Sequence, residues 1–408
     1  MTRTRTRNLT NNKFIHGALP ALLLHVCIGT VYCWSLLKDA IASAMSVPVS
    51  SIEFAFSLAI FFLGMSAAFG GSIVEKNVRK SGLISTGCFV LGLIGTIISI
   101  YLKSIPLLFV FYGCLMGIGL GLGYLTPVKT LMLWFEKNKG LATGIAISGF
   151  GLAKVLFSPL IVYLIANYNI YNCLYVMSGI SVLSMSIASL LIKKPTWWSE
   201  VHKKSNIKEN ILNNVRTILN PTYIYIWIIF YINITCGLAI ISFEKSIASI
   251  NNITWIGTLA AITAIFNTIG RFGYSTASDY IKKHDKSIIY SIITFSSFII
   301  ALLCGMFGIF NNSLILVPTL LLLFIINMGY GGGFSTLPII LQSKFGMKNI
   351  STIHGLCLSA WAWAGLSGNQ LTNLVINYYN GTFCHVYIII AILYFVAFML
   401  TLVLSKKE

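Results

Sequence analysis

Twelve long apolar runs dominate this sequence, and they leave the chain only one kind of environment in which to fold. The 408 residues are 57% hydrophobic and 9% charged, whereas a soluble domain carries about 25% charged residues. About 20 consecutive apolar residues suffice for a helix to cross a bilayer. We therefore predict an all-α membrane protein with 12 transmembrane helices. The runs are residues 15–37, 52–73, 82–102, 106–133, 140–165, 171–192, 222–243, 253–278, 287–309, 313–341, 350–376 and 384–404.

The positive charges predict how these helices are oriented. The formal net charge is +18, and 22 of the 28 Lys and Arg residues lie in the two tails or in the loops after even-numbered runs. Three lie in loops on the opposite side, and three lie within runs. Because cytosolic loops carry the excess of Lys and Arg, both termini are predicted to be cytosolic in a multi-pass plasma (bacterial inner) membrane protein. Orientation explains these charges better than a nucleic-acid partner.

A polar stretch, residues 193–221, divides the helices into two sets of six. We interpret it as a cytosolic linker with a short amphipathic helix on the membrane surface. The halves carry similar motifs, since GLGLGYLTP (119–127) in run four corresponds to GYGGGFSTLP (329–338) in run ten. Such repeats place a carrier's binding site near the bilayer midplane. The predicted domains are an N-terminal bundle at 1–192 and a pseudo-symmetric C-terminal bundle at 222–408.

Arg271 is the residue that most strongly suggests a function. It lies within an apolar run, eight residues before Asp279, which places it about 12 Å from the charged end of the helix. A guanidinium at that depth costs at least ~2.5–3.5 kcal/mol, and an arginine reaches the surface from there only with difficulty. We interpret Arg271 as an anchor for a transported anion; the alternative is an arginine bonded to backbone carbonyls.

Two lysines also lie within runs. Lys154 is 14 residues past Gly140, or roughly 21 Å into its helix. It is either a site residue or a structural lysine bonded to polar neighbours. Lys129 is five residues before Trp134, so it is expected to reach the surface or to brace a cytosolic gate.

The acidic residues indicate the charge of the cargo. All ten lie in a loop, in a tail or at the start of a run, so the buried cations are expected to lack buried acidic partners. A cation carrier would show the reverse, and a typical proton symporter keeps an intramembrane Asp or Glu. An anionic substrate best supplies the missing negative charge.

Aromatic residues near mid-depth suggest a cage around that anion. Phenol hydroxyls and indole N–H groups can bond carboxylate oxygens while the rings close over a small ligand; bundle packing is the alternative for each. His25 is the main interior titratable candidate and is either structural or proton-coupling, with His354 a weaker one. The predicted cage is Tyr32, Trp34, Tyr124, Tyr330 and Trp361.

Matching loops in the two halves combine an acid with nearby cations. Glu75 and Arg79 follow run two, and Asp279 and Lys283 follow run eight. They are either solvated loops or an interhelical latch that stabilises one gating state, and we predict the latch because the pattern occurs twice.

No pattern in the sequence indicates an enzyme, a metal site or a bound cofactor. GIGLGLG (117–123) lies within an apolar run, where glycines at every fourth position favour close helix packing rather than dinucleotide binding. The nine cysteines form no CxxC pair and are interpreted as small apolar residues. We find no nucleophile–base pair.

Several segments resemble the oxalate/formate antiporter family of the major facilitator superfamily. They are TVYCWSL (30–36), YLTPVKTLMLWFEKNKGLATGIAISGFGLAK (124–154), NTIGRFGYSTASD (267–279) and FGMKNISTIHGLCLSAWAWAG (345–365). The resemblance implies the major facilitator fold, with Arg271 as the anion anchor of a small-carboxylate carrier. In members that carry oxalate it implies a second cation in span eleven, and Trp361 occupies that place here.

The sequence therefore predicts an alternating-access carrier of small organic anions. The expected cargo is a monocarboxylate such as formate, pyruvate or lactate, or oxalate if Lys154 supplies a second charge. Antiport is expected, because an empty site with unpaired cations should resist closing. The alternatives are a proton-coupled carboxylate symporter and a non-transporting membrane sensor. Beyond the substrate and the lipid bilayer no partner is predicted, and the chain is expected to be a monomer.

Overall fold

The computed structural model describes residues 12–201, 214–281, 286–310, 315–379 and 382–406. Twelve membrane helices, α1 to α12, form this part of the chain, and it contains no β-strand. The predicted all-α fold is thus confirmed. In chain order the helices are Phe14–Met45, Val49–Lys76, Val78–Tyr101, Ile105–Trp134, Lys139–Asn167, Ile170–Leu191, Pro221–Ile241, Ile256–Ala277, Ile288–Ile309, Leu316–Phe345, Ile350–Cys357 with Ser359–Tyr378 (α11), and Cys384–Ser405.

Ten of these helices are long and apolar enough to cross a membrane by length and composition alone. The other two are α8 and α11, which correspond to runs eight and eleven. α8 carries Thr263, Asn267 and Arg271, all of them buried in the protein. α11 is interrupted at Leu358. The three polar residues named in α8 are buried between helices, as expected because a polar group in hydrocarbon must find a partner inside the protein.

The helices pack as two halves with a long interface between them. Within the halves, α2 packs against α4, α3 against α6, α8 against α10 and α9 against α12. Between the halves, α2 packs against α11, and α5 packs against α8 and α10. Four of the seven residues predicted to bind the substrate lie on these interface helices, and the other three lie on α1 and α4. The four are Lys154, Arg271, Tyr330 and Trp361.

α1 is irregular where it passes α5. It contains a 3₁₀ segment, Gly29–Cys33, and a Cβ on Gly29 would lie 2.5 Å from the backbone oxygen of Phe150. Only glycine allows this approach. α1 also continues to Met45, eight residues past the predicted end of its apolar run, because Lys38 and Asp39 are accommodated at the aqueous end of the helix.

The two ends of the molecule differ. At one end, the backbone N–H of Lys193 donates to the carbonyl of His16 (3.2 Å), and the indole of Trp134 donates to the carbonyl of Lys193 (2.8 Å). We call this the linker end. The opposite end, where α1 finishes and α8 begins, contains an open cavity between the halves, and we call it the cavity end.

Candidate functional site

The cavity has a volume of about 340 Å³ and is lined by both halves. α1 and α5 contribute residues from the N-terminal half, and α8 and α10 contribute residues from the C-terminal half. Four charged side chains lie on its wall, Lys38, Glu53, Lys154 and Glu244. The space is large enough for a small organic molecule and is reached from the cavity end.

Two tyrosines from different halves form the floor of the cavity. The hydroxyls of Tyr32 (α1) and Tyr330 (α10) are 2.9 Å apart and share a hydrogen bond, and both residues line the cavity. Both belong to the predicted cage. Their hydrogen bond joins the halves at the depth where the cavity ends.

Arg271 lies beneath this floor and is fully buried, with 0% exposure. Its Nε donates to Oδ1 of Asn267 at 2.8 Å. Its Cζ lies 5.5 Å from the ring centre of Phe150 and 5.3 Å from that of Phe334. Among the described residues, no acceptor meets hydrogen-bond geometry with Nη1 or Nη2, although the Tyr32 hydroxyl lies close enough to interact with the guanidinium electrostatically. An unpaired charge so deep is costly, and contact with two ring faces offsets only ~0.5–2 kcal/mol each.

The sequence of α8 places Arg271 here. Thr263, Asn267 and Arg271 are spaced by four residues, so they lie on one face of the helix, about 6 Å apart along its axis. Thr263 and Asn267 line the cavity, whereas Arg271 is one turn deeper. A polar stripe therefore leads from the cavity wall to the guanidinium.

Lys154 lies on the cavity wall, as its predicted depth suggested. It is partly buried and forms no ion pair with any described residue. Lys38, nearer the cavity mouth, differs because its Nζ lies 2.7 Å from Oε1 of Glu53. Lys154 thus presents a positive charge to the cavity.

The predicted aromatic cage is divided between two levels. Trp34 lines the cavity and packs on Tyr112, with ring centres 4.6 Å apart. Tyr124 and Trp361 are fully buried below the floor, 5.6 Å apart. Neither the Tyr124 hydroxyl nor the Trp361 indole N–H has a partner among the described residues. The structure therefore brings these two close to Arg271's aromatic neighbours, not to the open cavity.

Both interior histidines lie beside Tyr124. Nε2 of His25 is 3.2 Å from the carbonyl oxygen of Tyr124, and the ring of His354 is 6.1 Å from that of Tyr124. Nδ1 of His25 and Nε2 of His354 lack partners among the described residues. Neither histidine lines the cavity.

At the linker end, carboxylates of one half bond helix N-termini of the other. Asp279, after α8, accepts from the backbone N–H groups of Gly140 (2.7 Å) and Leu141 (2.8 Å) at the start of α5. Glu75, in α2, accepts from the backbone N–H of Ser351 (2.8 Å) at the start of α11. Helix N-termini attract negative charge, so both contacts are charge-assisted and join the two halves at this end.

The cations predicted to accompany these acids behave differently. Nε of Arg79 donates to the carbonyl of Ile192 (3.4 Å) within its own half, and Lys283 lies outside the described residues. Glu75 forms its ion pair with Lys129 instead. The expectation that every buried cation lacks an acidic partner was therefore wrong for Lys129, because α2 brings Glu75 to it, a proximity that no local pattern encodes.

Two further lysines at the linker end lie outside the membrane helices. Nζ of Lys194 donates to the backbone oxygen of Glu75 (2.5 Å). Burial, and then the charge of Lys129, lowers the pKa of Lys194 to about 8, against the attraction of Glu75. Nζ of Lys286 donates to the carbonyl of Ser278 (2.9 Å), and burial lowers its pKa while Asp279 opposes the shift.

Glu244 is the cavity residue that the sequence analysis missed. It begins the short helix Glu244–Ile250 between α7 and α8 and is only 7% exposed. Oγ1 of Thr263 donates to its Oε1 at 2.6 Å. The sequence analysis places it in a loop, although buried Ile247 and Ala248 follow at three and four residues, the spacing of a half-buried helix.

Comparisons with known proteins agree with this architecture. The profile of the Major Facilitator Superfamily matches residues 21–369. The fucose:proton symporter FucP of Escherichia coli has a similar structure, with a TM-score of 0.69 at 14% identity over 95% of this chain and 97% of that one. At that identity the likeness shows the fold alone, and it confirms the arrangement expected from the sequence motifs.

Three curated relatives are similar in sequence. The uncharacterized MFS-type transporter YhjX of Escherichia coli K12 is 24% identical over 86% of this chain and 84% of its own length. The oxalate:formate antiporter of Oxalobacter formigenes is 23% identical over 97% and 92%. Apicoplast pyruvate carrier 1 of Toxoplasma gondii is 28% identical over 34% and 32%.

Proposed function

The chain belongs to the Major Facilitator Superfamily, and on that premise we propose that it is a secondary carrier of small carboxylate anions. It is a multi-pass integral membrane protein with the fold of a transporter. The proposed cargo is a monocarboxylate of the size of formate, pyruvate or lactate, moved by alternating access in exchange for another anion. The names of two relatives, an oxalate:formate antiporter and a pyruvate carrier, support this class of cargo.

The observation that carries the proposal is the state of Arg271. Its Nε is held by Asn267, while both terminal nitrogens remain without partners among the described residues. Because Asn267 orients the guanidinium through Nε, Nη1 and Nη2 are free to form a bidentate pair with one carboxylate. A bound carboxylate would remove the cost of the unpaired charge, which an uncharged cargo would not.

The anion would reach Arg271 by separating the two floor tyrosines. It would enter from the cavity end, drawn by Lys154 and by the polar stripe of α8. Tyr32 and Tyr330, whose hydroxyls now bond each other, would exchange that bond for bonds to the carboxylate. Tyr124 and Trp361, with their unused polar atoms below, would complete the cage as the halves close over the anion.

Trp361 favours a monocarboxylate over oxalate. The family resemblance leads us to expect a cation at this place in oxalate carriers, and here a buried indole lies 4.3 Å from the ring of Phe334. An indole N–H can bond one carboxylate oxygen but supplies no charge. A second carboxylate beside it would be desolvated without a counter-charge, which is costly.

Exchange follows from the same electrostatics. When an empty carrier closes, its unpaired cations lose their water without gaining an anion, which is costly. In a loaded carrier the bound anion neutralises them. The excess of Lys and Arg at the linker end supports a cytosolic position for that end and for both termini. We propose in addition that the chain is a monomer in a plasma (bacterial inner) membrane. The state described here would then face outward.

Counterflow in proteoliposomes tests the proposal. Vesicles loaded with unlabelled pyruvate should accumulate external labelled pyruvate, formate or lactate, and empty vesicles should not. The panel should be repeated with and without a pH gradient, with oxalate and with a neutral solute of similar size. Ligand-induced stabilisation without counterflow would identify a sensor instead, and uptake that requires the pH gradient would identify a proton symporter.

A further inference from the structure

We propose that Glu244 makes this cavity selective for monocarboxylates by neutralising Lys154 when the cavity closes. The inference rests on the proposed function. In a carrier of dianions, the second carboxylate of the cargo would balance the charge of Lys154; here Glu244 supplies that negative charge. Lys154 belongs to the N-terminal half and Glu244 to the C-terminal half, and both line the one cavity between them. The two side chains can pair only if they lie at a similar depth in the cavity.

The contacts between α5 and α8 give the relative depth of Lys154 and Glu244. A Cβ on Gly151 would lie 2.8 Å from Oγ1 of Thr268, which fixes the level at which the two helices cross. Lys154 is three residues from Gly151 toward the cavity end, or about 4.5 Å. Thr263, which bonds Glu244, is five residues from Thr268 in the same direction, or about 7.5 Å. The ammonium and the carboxylate therefore face one cavity from opposite halves within about one helical turn in height.

In the open state neither residue has an ionic partner among the described residues. Glu244 accepts one hydrogen bond, from Thr263, and Lys154 forms no ion pair there. The open cavity leaves Lys154 partly exposed to water, whereas Glu244, at 7% exposure, meets it only at its edge. When the halves close, that water leaves, and a charge without a partner becomes expensive. Their positions on facing walls make each the natural partner of the other.

The charges of the cavity then determine the cargo. Lys38 is already paired with Glu53, and Lys154 cancels Glu244 on closure. Arg271 remains as a single uncompensated cation, which matches one carboxylate. A dianion would compete with Glu244 for Lys154 and leave one carboxylate unpaired in the closed cavity, so closure around it is disfavoured.

The test is the ratio of oxalate to formate counterflow, measured as initial rates at equal concentrations in the full-length protein. Glu244→Gln leaves Lys154 without its partner and should raise the ratio at least tenfold, because oxalate now supplies the missing charge. Lys154→Gln should lower the ratio instead. The double variant, Lys154→Gln with Glu244→Gln, has no charge to balance and should return to the preference for formate.

A ratio unchanged in Glu244→Gln, or a double variant that keeps a raised ratio, overturns the proposal. Glu136→Gln is the matched control, because this exposed carboxylate does not line the cavity, and its ratio should stay at the wild-type value. If Glu244→Gln does not fold, the test depends on Lys154→Gln, in which the ratio of oxalate to formate counterflow should fall. An unchanged ratio in Lys154→Gln would contradict the pairing of Lys154 with Glu244. Failure of the wild type to transport any carboxylate would refute the proposed function instead.

Discussion

The two ends of the interface between the halves use charge in opposite ways. At the linker end, Glu75 and Asp279 bond backbone N–H groups of the opposite half, and the helices touch closely. At the cavity end, Lys154 and Glu244 line open space without ionic partners among the described residues. The same interface is therefore closed where carboxylates meet helix N-termini and open where charges meet solvent.

This difference shows what must change for the carrier to turn over. The contacts at the linker end are local, few and charge-assisted, so they are strong but can be broken together. The charges at the cavity end need a partner before water can be removed. On the proposed function, an anion bound at Arg271, between the two ends, would lower the cost of closing one end while the other opens.

The largest expected effect on transport is that of a substitution at Arg271, which lies between the linker end and the cavity end. Arg271→Ala should reduce counterflow of every carboxylate by more than 100-fold, because the loss of a buried bidentate charge pair costs about 3–5 kcal/mol and every 1.4 kcal/mol is tenfold. The measurement is counterflow together with the elution profile of the purified protein. Lys245→Ala, an exposed site at the cavity end, is the control. An active Arg271→Ala carrier would disprove the role of anchor.

A methyl group at the linker end should have the next largest effect. A Cβ on Gly140 would lie 1.9 Å from the backbone oxygen of Ser275, and overpacking of this kind costs about 1–3 kcal/mol. Gly140→Ala should therefore shift the carrier toward a state with the linker end open. Gly273→Ala, where a Cβ meets nothing within 4 Å, should not.

The shift can be measured with a thiol placed at the interface. Thr352→Cys lies against Gly71 at the linker end and can be introduced after the nine native cysteines are replaced by serine. Its labelling by a maleimide should become roughly 5- to 100-fold faster in Gly140→Ala, the range that the packing cost implies. Equal rates in the two glycine variants would show that this contact does not hold the end closed.

Removal of one latch charge should act in the same direction but more weakly. Asp279→Asn keeps one oxygen that can accept from Gly140 or Leu141 and loses the charge that strengthens both bonds. Charge-assisted bonds are worth about 1.5–3 kcal/mol and neutral ones about 1 kcal/mol, so labelling of Thr352→Cys should become roughly tenfold faster. Arg79→Gln, whose bond stays within one half, should leave the rate unchanged; a faster rate there would extend the latch to Arg79.

The smallest effect is a pH dependence at the linker end. The pKa of Lys194 is lowered to about 8 in the folded protein, whereas an unperturbed lysine has a pKa of about 10.4. Between these values the unfolded chain binds more protons, so this lysine contributes stability that increases as pH rises from about 8 to about 10.4. Below pH 8 the lysine is protonated in both states, and the full cost of burying its charge lowers the stability of the folded protein.

Thermal unfolding in detergent measures this contribution. Lys194→Met should raise the melting temperature near pH 7.5, and the difference from the wild type should shrink toward pH 10. Lys245→Met at the cavity end is exposed and should follow the wild type at every pH. A difference that stays constant with pH would mean that Lys194 acts through packing alone.

Much of the architecture could be predicted from the sequence because the bilayer acts on local composition. Each apolar run became a helix, and the depths counted from Gly140 and Asp279 were sufficient to find Lys154 and Arg271. Boundaries were less reliable where polar residues continue a helix into the aqueous end, as Lys38 does in α1.

The site was predicted only in part, because contact between distant residues is not a local property. Tyr32 and Tyr330 are 298 positions apart in the chain, and the sequence around neither one predicts contact with the other. The sequence grouped five aromatics as one cage, whereas the fold separates an upper level, with Trp34, from a lower one, with Tyr124 and Trp361. It also placed Glu244 in a loop, although the fold buries it against Thr263.

Composition and spacing along single helices are enough to show that the chain spans a membrane in helices, that its halves repeat, and that Arg271 lies deep in a helix without an acid nearby in the chain. Contacts between helices were needed to show that Lys129 has an acidic partner and that Arg271 has none among the described residues. The same contacts show which end is closed and which charges share the cavity. Pairing depends on distances between helices, and packing across the interface sets those distances.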